Sequence, residues 1–164
     1  MSRFVWSKEF ELGIDIIDHQ HQRIVDYINQ IYDISLKAQG TCGSVEVTDA
    51  DTADLKAVLA SLVDYTLSHL AFEEALMEEA EYPELSEHQL VHRQFSELIG
   101  SLKARFDQGE EVSQRLASVL QHWLIEHIMT EDKRYAELVK HKLLGIEPDK
   151  HRHWVQQALS RHFQ

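Results

Sequence analysis

Glycine and proline are scarce in this 164-residue chain, with six and two copies. Both interrupt regular structure, so their scarcity favours long helices over a turn-rich sheet fold. There is one cysteine, Cys42. It cannot form an internal disulfide, and it rules out iron–sulfur clusters and cysteine-built zinc sites. A reducing cytoplasm is the expected compartment. Cys42 sits in a Gly-Thr-Cys-Gly-Ser loop with no histidine or second cysteine beside it, so no catalytic role is expected. Positive charge is also short, since 16 Lys and Arg against 28 Asp and Glu leave a formal charge of −12. A nucleic acid or an anionic membrane surface would need a basic face that this chain does not offer. No apolar run reaches the roughly 18 residues of a spanning helix. The start, MSRFVWSKEFELG, lacks a signal peptide's apolar core. There is no phosphate-cradling glycine loop and no nucleophile–base arrangement, so phosphoryl transfer and hydrolysis are not expected.

What is present is apolar periodicity and histidine. Hydrophobic residues make up 43% of the chain, and there are eleven histidines. Residues 1–17 read as an extended arm, with Trp6, Phe10, Leu12, Ile14 and Ile16 largely alternating with polar positions. No second strand is available to pair with it, so it should pack across helices. A first helix is expected over about 18–38, with Ile24, Ile28 and Ile31 on one stripe and His21 in register with them. A second, over about 49–80, carries Leu55, Leu59, Leu62, Thr66, His69, Glu73, Leu76 and Met77 on one face. Glu74, Glu78, Glu79 and Glu81 read as solvated acidic surface. Tyr82-Pro83 breaks the helix.

A third helix is expected over about 87–107, opened by a Ser86/Gln89 capping box. Its face is His88, Val91, His92, Phe95, Leu98, Ile99, Leu102 and Phe106. A fourth, over about 111–143, buries Leu116, Val119, Leu120, Trp123, Leu124, His127, Ile128 and Tyr135, with His122 at the stripe's edge. A short fifth helix over about 149–162 follows, and its His151, His153 and His162 read as surface residues. The expected architecture is all-α: an up-down-up-down four-helix bundle over 1–145, then a helical extension over 146–164.

A single histidine on an apolar stripe is more often a satisfied core residue than a ligand. Here His21, His69, His88, His92 and His127 lie on the inward stripes of all four helices. Antiparallel topology brings the starts of the first and third helices beside the ends of the second and fourth. All five then meet at one end of the bundle. Unpaired, they would be costly to bury. Imidazole with carboxylate and no thiolate suits a pair of borderline metals bridged by carboxylates. The paired Glu-x-x-His motifs of ferritin-like di-iron proteins are absent. Imidazole-rich ligation gives a softer, less charged iron suited to reversible redox chemistry.

These residues give the chain a resemblance to the hemerythrins. The matching elements are Asp18-His-Gln-His21, His69-x3-Glu73, Tyr82-Pro83, His88-x3-His92 and Trp123-x3-His127-Ile-x3-Asp132. They run from about Trp6 to Tyr135. The resemblance implies a four-helix bundle holding two iron ions with an oxo or hydroxo bridge. It implies that His88, His92 and His127 bind one iron, that His21 and His69 bind the other, and that Glu73 and Asp132 bridge them. Dioxygen is the implied ligand, taken up at the open position of the His21/His69 iron with two electrons and a proton. An oxygen-using enzyme or a signalling domain is the implied macromolecular partner. Sensing, or an enzymatic reaction on nitric oxide or peroxide, is the alternative role. Ile24, Val25, Trp123, Leu124 and Ile128 are the candidates for an apolar oxygen pocket. The chain departs from the family at Leu70, where an aromatic usually follows the ligand.

One position divides the two lines of reasoning. His127 and Asp132 are five apart, which a regular helix would separate by roughly 140°. Spacing alone selects Glu131; the resemblance selects Asp132. A π-type bulge between His127 and Asp132 would reconcile them.

Overall fold

The computed structural model describes residues 3–40, 49–144 and 148–163. Cys42, most of the expected 39–48 loop and the proposed 145/146 boundary lie outside them. Four helical rods form a closed ring: α1 (Asp15–Gly40) packs on α2 (Asp49–Glu79), α2 on α3 (Leu85–Asp107), α3 on α4 (Ser113–His127), and α4 back on α1. The fourth rod continues through a π-helical turn (Ile128–Asp132), α5 (Lys133–Val139) and a second π turn (Lys140–Leu144). The first π turn lies where the His127/Asp132 spacing called for a bulge; the second, at Lys140–Leu144, falls where the sequence suggests regular helix. No strand is present among the described residues.

The arm before α1 is extended, with a 3-10 turn at Lys8–Phe10, and it buries Phe4, Phe10, Leu12 and Ile14. It folds back along α1. The Asn29 side chain brackets Phe4, accepting from its N–H at 2.8 Å and donating to its carbonyl at 3.0 Å. α1 starts earlier than its apolar stripe suggests, at Asp15. Asp18 accepts from the N–H groups of Leu12 (2.8 Å) and Gly13 (3.0 Å), which turns the arm into the helix. Gly13 has φ +76, a left-handed conformation open to glycine at little cost.

α2 ends in a Schellman-type turn. Tyr82 N–H donates to the Met77 carbonyl and Glu81 N–H to that of Glu78, with Glu81 at φ 54. That left-handed, non-glycine residue costs about 1–2 kcal/mol. It reverses the chain so that α3 begins within a few residues. α3 begins at Leu85, and its N-cap Glu84 makes no side-chain cap bond. The expected Ser86/Gln89 capping box is therefore not formed: Ser86 is already helical, and Gln89 reaches Glu74 on α2 instead. Leu98, expected on the buried face, is 46% exposed, because helical winding sets it about 80° from the line of His88 and Phe106, at the edge of the buried stripe.

α6 (Pro148–His162) lies outside the ring against α2. Trp154, His162 and Phe163 gather around the buried Phe72 ring. His162 is thus partly covered rather than a surface residue, whereas His153 is exposed.

Candidate metal centre

Each helix delivers its histidine from the inward stripe, and burial there is nearly complete. His21, His69 and Glu73 are 0% exposed, His88, His92 and His127 are 2%, and Asp132 is 0%. Glu73 stands at the junction of two groups. With His88, His92 and His127 it forms one set of converging ligand atoms; with His21 and His69 it forms a second. Asp132 also touches both, since Oδ2 is 3.5 Å from His21 Nε2 while Oδ1 is 2.9 Å from His127 Nε2 and 3.6 Å from His88 Nε2. All five imidazoles turn Nε2 toward this space.

The π turn decides the Asp132 question. It swings Asp132 into the core, while Glu131 stays partly exposed and pairs with Arg134 at 3.4 Å. The wider i→i+5 winding returns position 132 to the face of position 127.

Burial governs the ionisation of these groups. Desolvation, followed by repulsion from His127, lowers His21 from 6.5 to about 3. Desolvation, then His92 and His127, lowers His88 to about 2. Desolvation leads the downward shifts of His69 and His127 as well. Glu73 is raised from 4.5 to about 8 by desolvation and then by Asp132, and Asp132 is itself raised by desolvation and Glu131. The approaches of His21, His69, His88 and His127 to Glu73 and Asp132 are therefore not ion pairs of imidazolium with carboxylate.

The donor set fits a multivalent cation. His92 Nε2 stands 3.0 Å from both His88 Nε2 and His127 Nε2. His92 already donates Nδ1–H to Glu74, so a neutral ring has a bare lone pair at Nε2. Adjacent nitrogen ligands at right angles around a cation, each about 2.1 Å from it, stand about 3.0 Å apart. Among the described residues, His69 Nε2, His21 Nε2, Glu73 Oε2 and both Asp132 oxygens are buried without a hydrogen-bond partner. Unsatisfied buried acceptors are rare in proteins unless something binds them.

The chain matches the domain family described as "Hemerythrin HHE cation binding domain" over residues 12–139. It belongs to the hemerythrin family. It is 36% identical to a bacteriohemerythrin of Pseudomonas aeruginosa over 164 residues, 99% of each chain. It is 39% identical to one of Stenotrophomonas maltophilia over 140 residues, 85% and 84% of the two chains. Myohemerythrin-1 of Phascolopsis gouldii is 28% identical over 80% of this chain and 91% of its own. The crystal structure of a leucine-to-alanine hemerythrin mutant superposes with TM-score 0.71 at 26% identity, covering 85% of this chain and 98% of that one. The family's cofactor is a di-iron centre that binds dioxygen, and the His and Glu cluster provides a place for it.

Three neighbours of the hemerythrin cluster make bonds that stripes alone do not reveal, although Tyr135 itself lies on the expected buried stripe. Tyr135 O–H donates to Glu73 Oε1. Gln20 Oε1 accepts from His69 Nδ1–H at 2.9 Å. Glu74, read from sequence as solvated surface, accepts from His92 Nδ1–H at 2.9 Å and is 29% exposed, because α3 packs against that edge of α2. The signals for Gln20 and Glu74 were proximity alone, as Gln20 adjoins His21 and Glu74 adjoins Glu73; Tyr135 had its place on the buried stripe, three past Asp132.

Of the apolar candidates, Ile24, Val25, Leu124 and Ile128 are buried in the core. Trp123 has a different place. It stacks on His127 (4.1 Å, 15°) and on Phe95 (3.6 Å, 4°), with His92 at 6.3 Å. Its ring contacts are thus with Phe95 and two members of the three-histidine group. Leu70, next to His69, is 3% exposed. His122 points to solvent, its side chain 87% exposed.

Proposed function

We propose that His88, His92 and His127 hold one iron, that His21 and His69 hold the other, and that Glu73 and Asp132 are shared. We further propose that the protein carries or stores dioxygen rather than turning it over. The observation that carries this reading is the division of five buried Nε2 atoms into a three and a two around one carboxylate. When bound, the iron pair supplies the two electrons that dioxygen accepts. The unequal division leaves the two-histidine position with fewer protein ligands, and so with room for a small molecule.

The chain's own groups support binding without turnover. Ile24, Val25, Leu124 and Ile128 keep water from the His21/His69 side, and none of them offers a proton. The phenol of Tyr135 is held protonated by burial and orients Glu73 through its hydrogen bond. Trp123, clamped between Phe95 and His127, fixes the plane of one imidazole. Among the described residues, no helix is long and apolar enough to cross a membrane. With the single cysteine, this supports a cytoplasmic reading.

Metal analysis with an anaerobic-to-aerobic optical titration tests the proposal. About two irons per chain and a visible absorption that appears with oxygen and vanishes on its removal are expected. One zinc per chain, or no oxygen-dependent spectrum, would refute it.

A further inference from the structure

The two histidine groups differ in what stands behind them. In the three-histidine group, His92 gives its Nδ1–H to a carboxylate, Glu74 Oε1, at 2.9 Å. The second oxygen of Glu74 accepts from Gln89 Nε2 at 3.3 Å, so the carboxylate is held at both ends. In the two-histidine group, His69 gives its Nδ1–H to an amide oxygen, Gln20 Oε1, also at 2.9 Å. Gln20 is 4% exposed. His21, His88 and His127 have no hydrogen-bond partner at Nδ1 among the described residues. Each group therefore has one histidine backed by an acceptor at the same distance, and the two acceptors differ by a full negative charge.

That difference has a sign. A carboxylate behind an Nδ1–H pulls on the proton and pushes electron density to Nε2, which makes the ring a stronger donor to a cation. It also favours the higher charge on that cation. A neutral amide oxygen does the same job of orientation with much less donation.

We infer that Glu74 and Gln20 are positioning residues that make the two metal positions unequal: Glu74 strengthens the three-histidine position, and Gln20 keeps the His21/His69 position the weaker donor set. This rests on the di-iron reading above. The weaker set holds its metal in the lower charge state more readily, which suits a site that must give its ligand back.

The test exchanges the two acceptors. Glu74→Gln and Gln20→Glu are nearly isosteric, and both are read with cobalt(II) as the probe by chelator competition. The iron-loaded forms are also read by midpoint potential. Glu74→Gln should weaken one of the two cobalt sites about 10- to 100-fold and raise the potential. Gln20→Glu should tighten the other site and lower the potential. General loosening of the core would shift both variants the same way, so same-sign shifts overturn the inference, as do affinities unchanged at both sites. Glu74→Asp restores the charge and should recover the wild-type potential; behaviour like Glu74→Gln overturns the inference. The two Glu74 variants decide the matter alone if Gln20→Glu does not fold. Wild-type protein that binds a single cobalt per chain overturns the two-metal reading itself, and does so before any variant is compared.

Discussion

Tyr135 O–H donates to Glu73 Oε1, joining residues 62 apart across the bundle core. Both side chains are fully buried. The bond takes one oxygen of the shared carboxylate and leaves the other, Oε2, facing the histidines without a protein partner.

Tyr135→Phe removes the donor and keeps the ring. It leaves a buried carboxyl oxygen unsatisfied, at about 1–3 kcal/mol. Urea unfolding of the metal-free variant should show a loss of that size with an unchanged slope. Wild-type stability in the variant would mean that the bond does not form in solution.

The π turn makes neighbouring acids unequal. Asp132→Asn should sharply lower the iron retained after gel filtration, because Asp132 touches histidines of both groups. Glu131→Gln should retain its iron, since Glu131 faces Arg134. Metal analysis showing the reverse would place the chain in a regular helix there.

Leu124, 1% exposed and one turn before His127, is expected to help keep water from the oxygen side. Leu124→Asn puts a polar group there and lowers the barrier to water. The oxygenated protein should then decay faster to its oxidised, oxygen-free form, followed by its visible spectrum. An unchanged decay rate would remove Leu124 from the pocket.

Without metal, stability should peak near neutral pH. His21, lowered to about 3, and His88, lowered to about 2, take up protons only on unfolding, as do His69 and His127. They have no effect above their ordinary 6.5, and they destabilise increasingly as pH falls below it. Glu73 runs the other way. Raised from 4.5 to about 8, it stays protonated when folded and ionises on unfolding. Its penalty is absent below 4.5, grows with rising pH and levels off above about 8. Asp132 is raised too and adds to that slope. Below 6.5 the four imidazoles outweigh the two carboxyls; above it only the carboxyls act. Equilibrium unfolding from about pH 5 to about pH 9 should therefore show a maximum close to 6.5. A steady gain from there to pH 8 would contradict the buried, protonated state of Glu73. Loading with metal should flatten both slopes, because the cation replaces the proton as the group's partner.

Much of this was readable from periodicity. Ile24, Ile28 and Ile31 placed His21 on the core side of α1, and Leu62, Thr66 and Leu76 did the same for His69 and Glu73. Errors came at stripe edges. Leu98 reads as core and is exposed; Glu74 reads as surface and binds His92. An edge residue's fate depends on how the neighbouring helix is rotated, and the residue's own helix carries no record of that. Ser86 failed for a related reason, since α3 started earlier than its first apolar residues suggest.

The sequence by itself determined that five histidines and Glu73 occupy inward faces at one end of an antiparallel bundle. A helix turns by about 100° per residue, so spacing alone sets a side chain's face. Helix spacing alone pointed to Glu131 and the family resemblance to Asp132; the tertiary structure turns Asp132 inward through a π turn. Only the tertiary structure decided that Tyr135 bonds Glu73, and that a carboxylate backs His92 while an amide backs His69. Each of these depends on where a second helix lies or where a turn widens. Those are set by the packing of the whole core, not by the local run of residues.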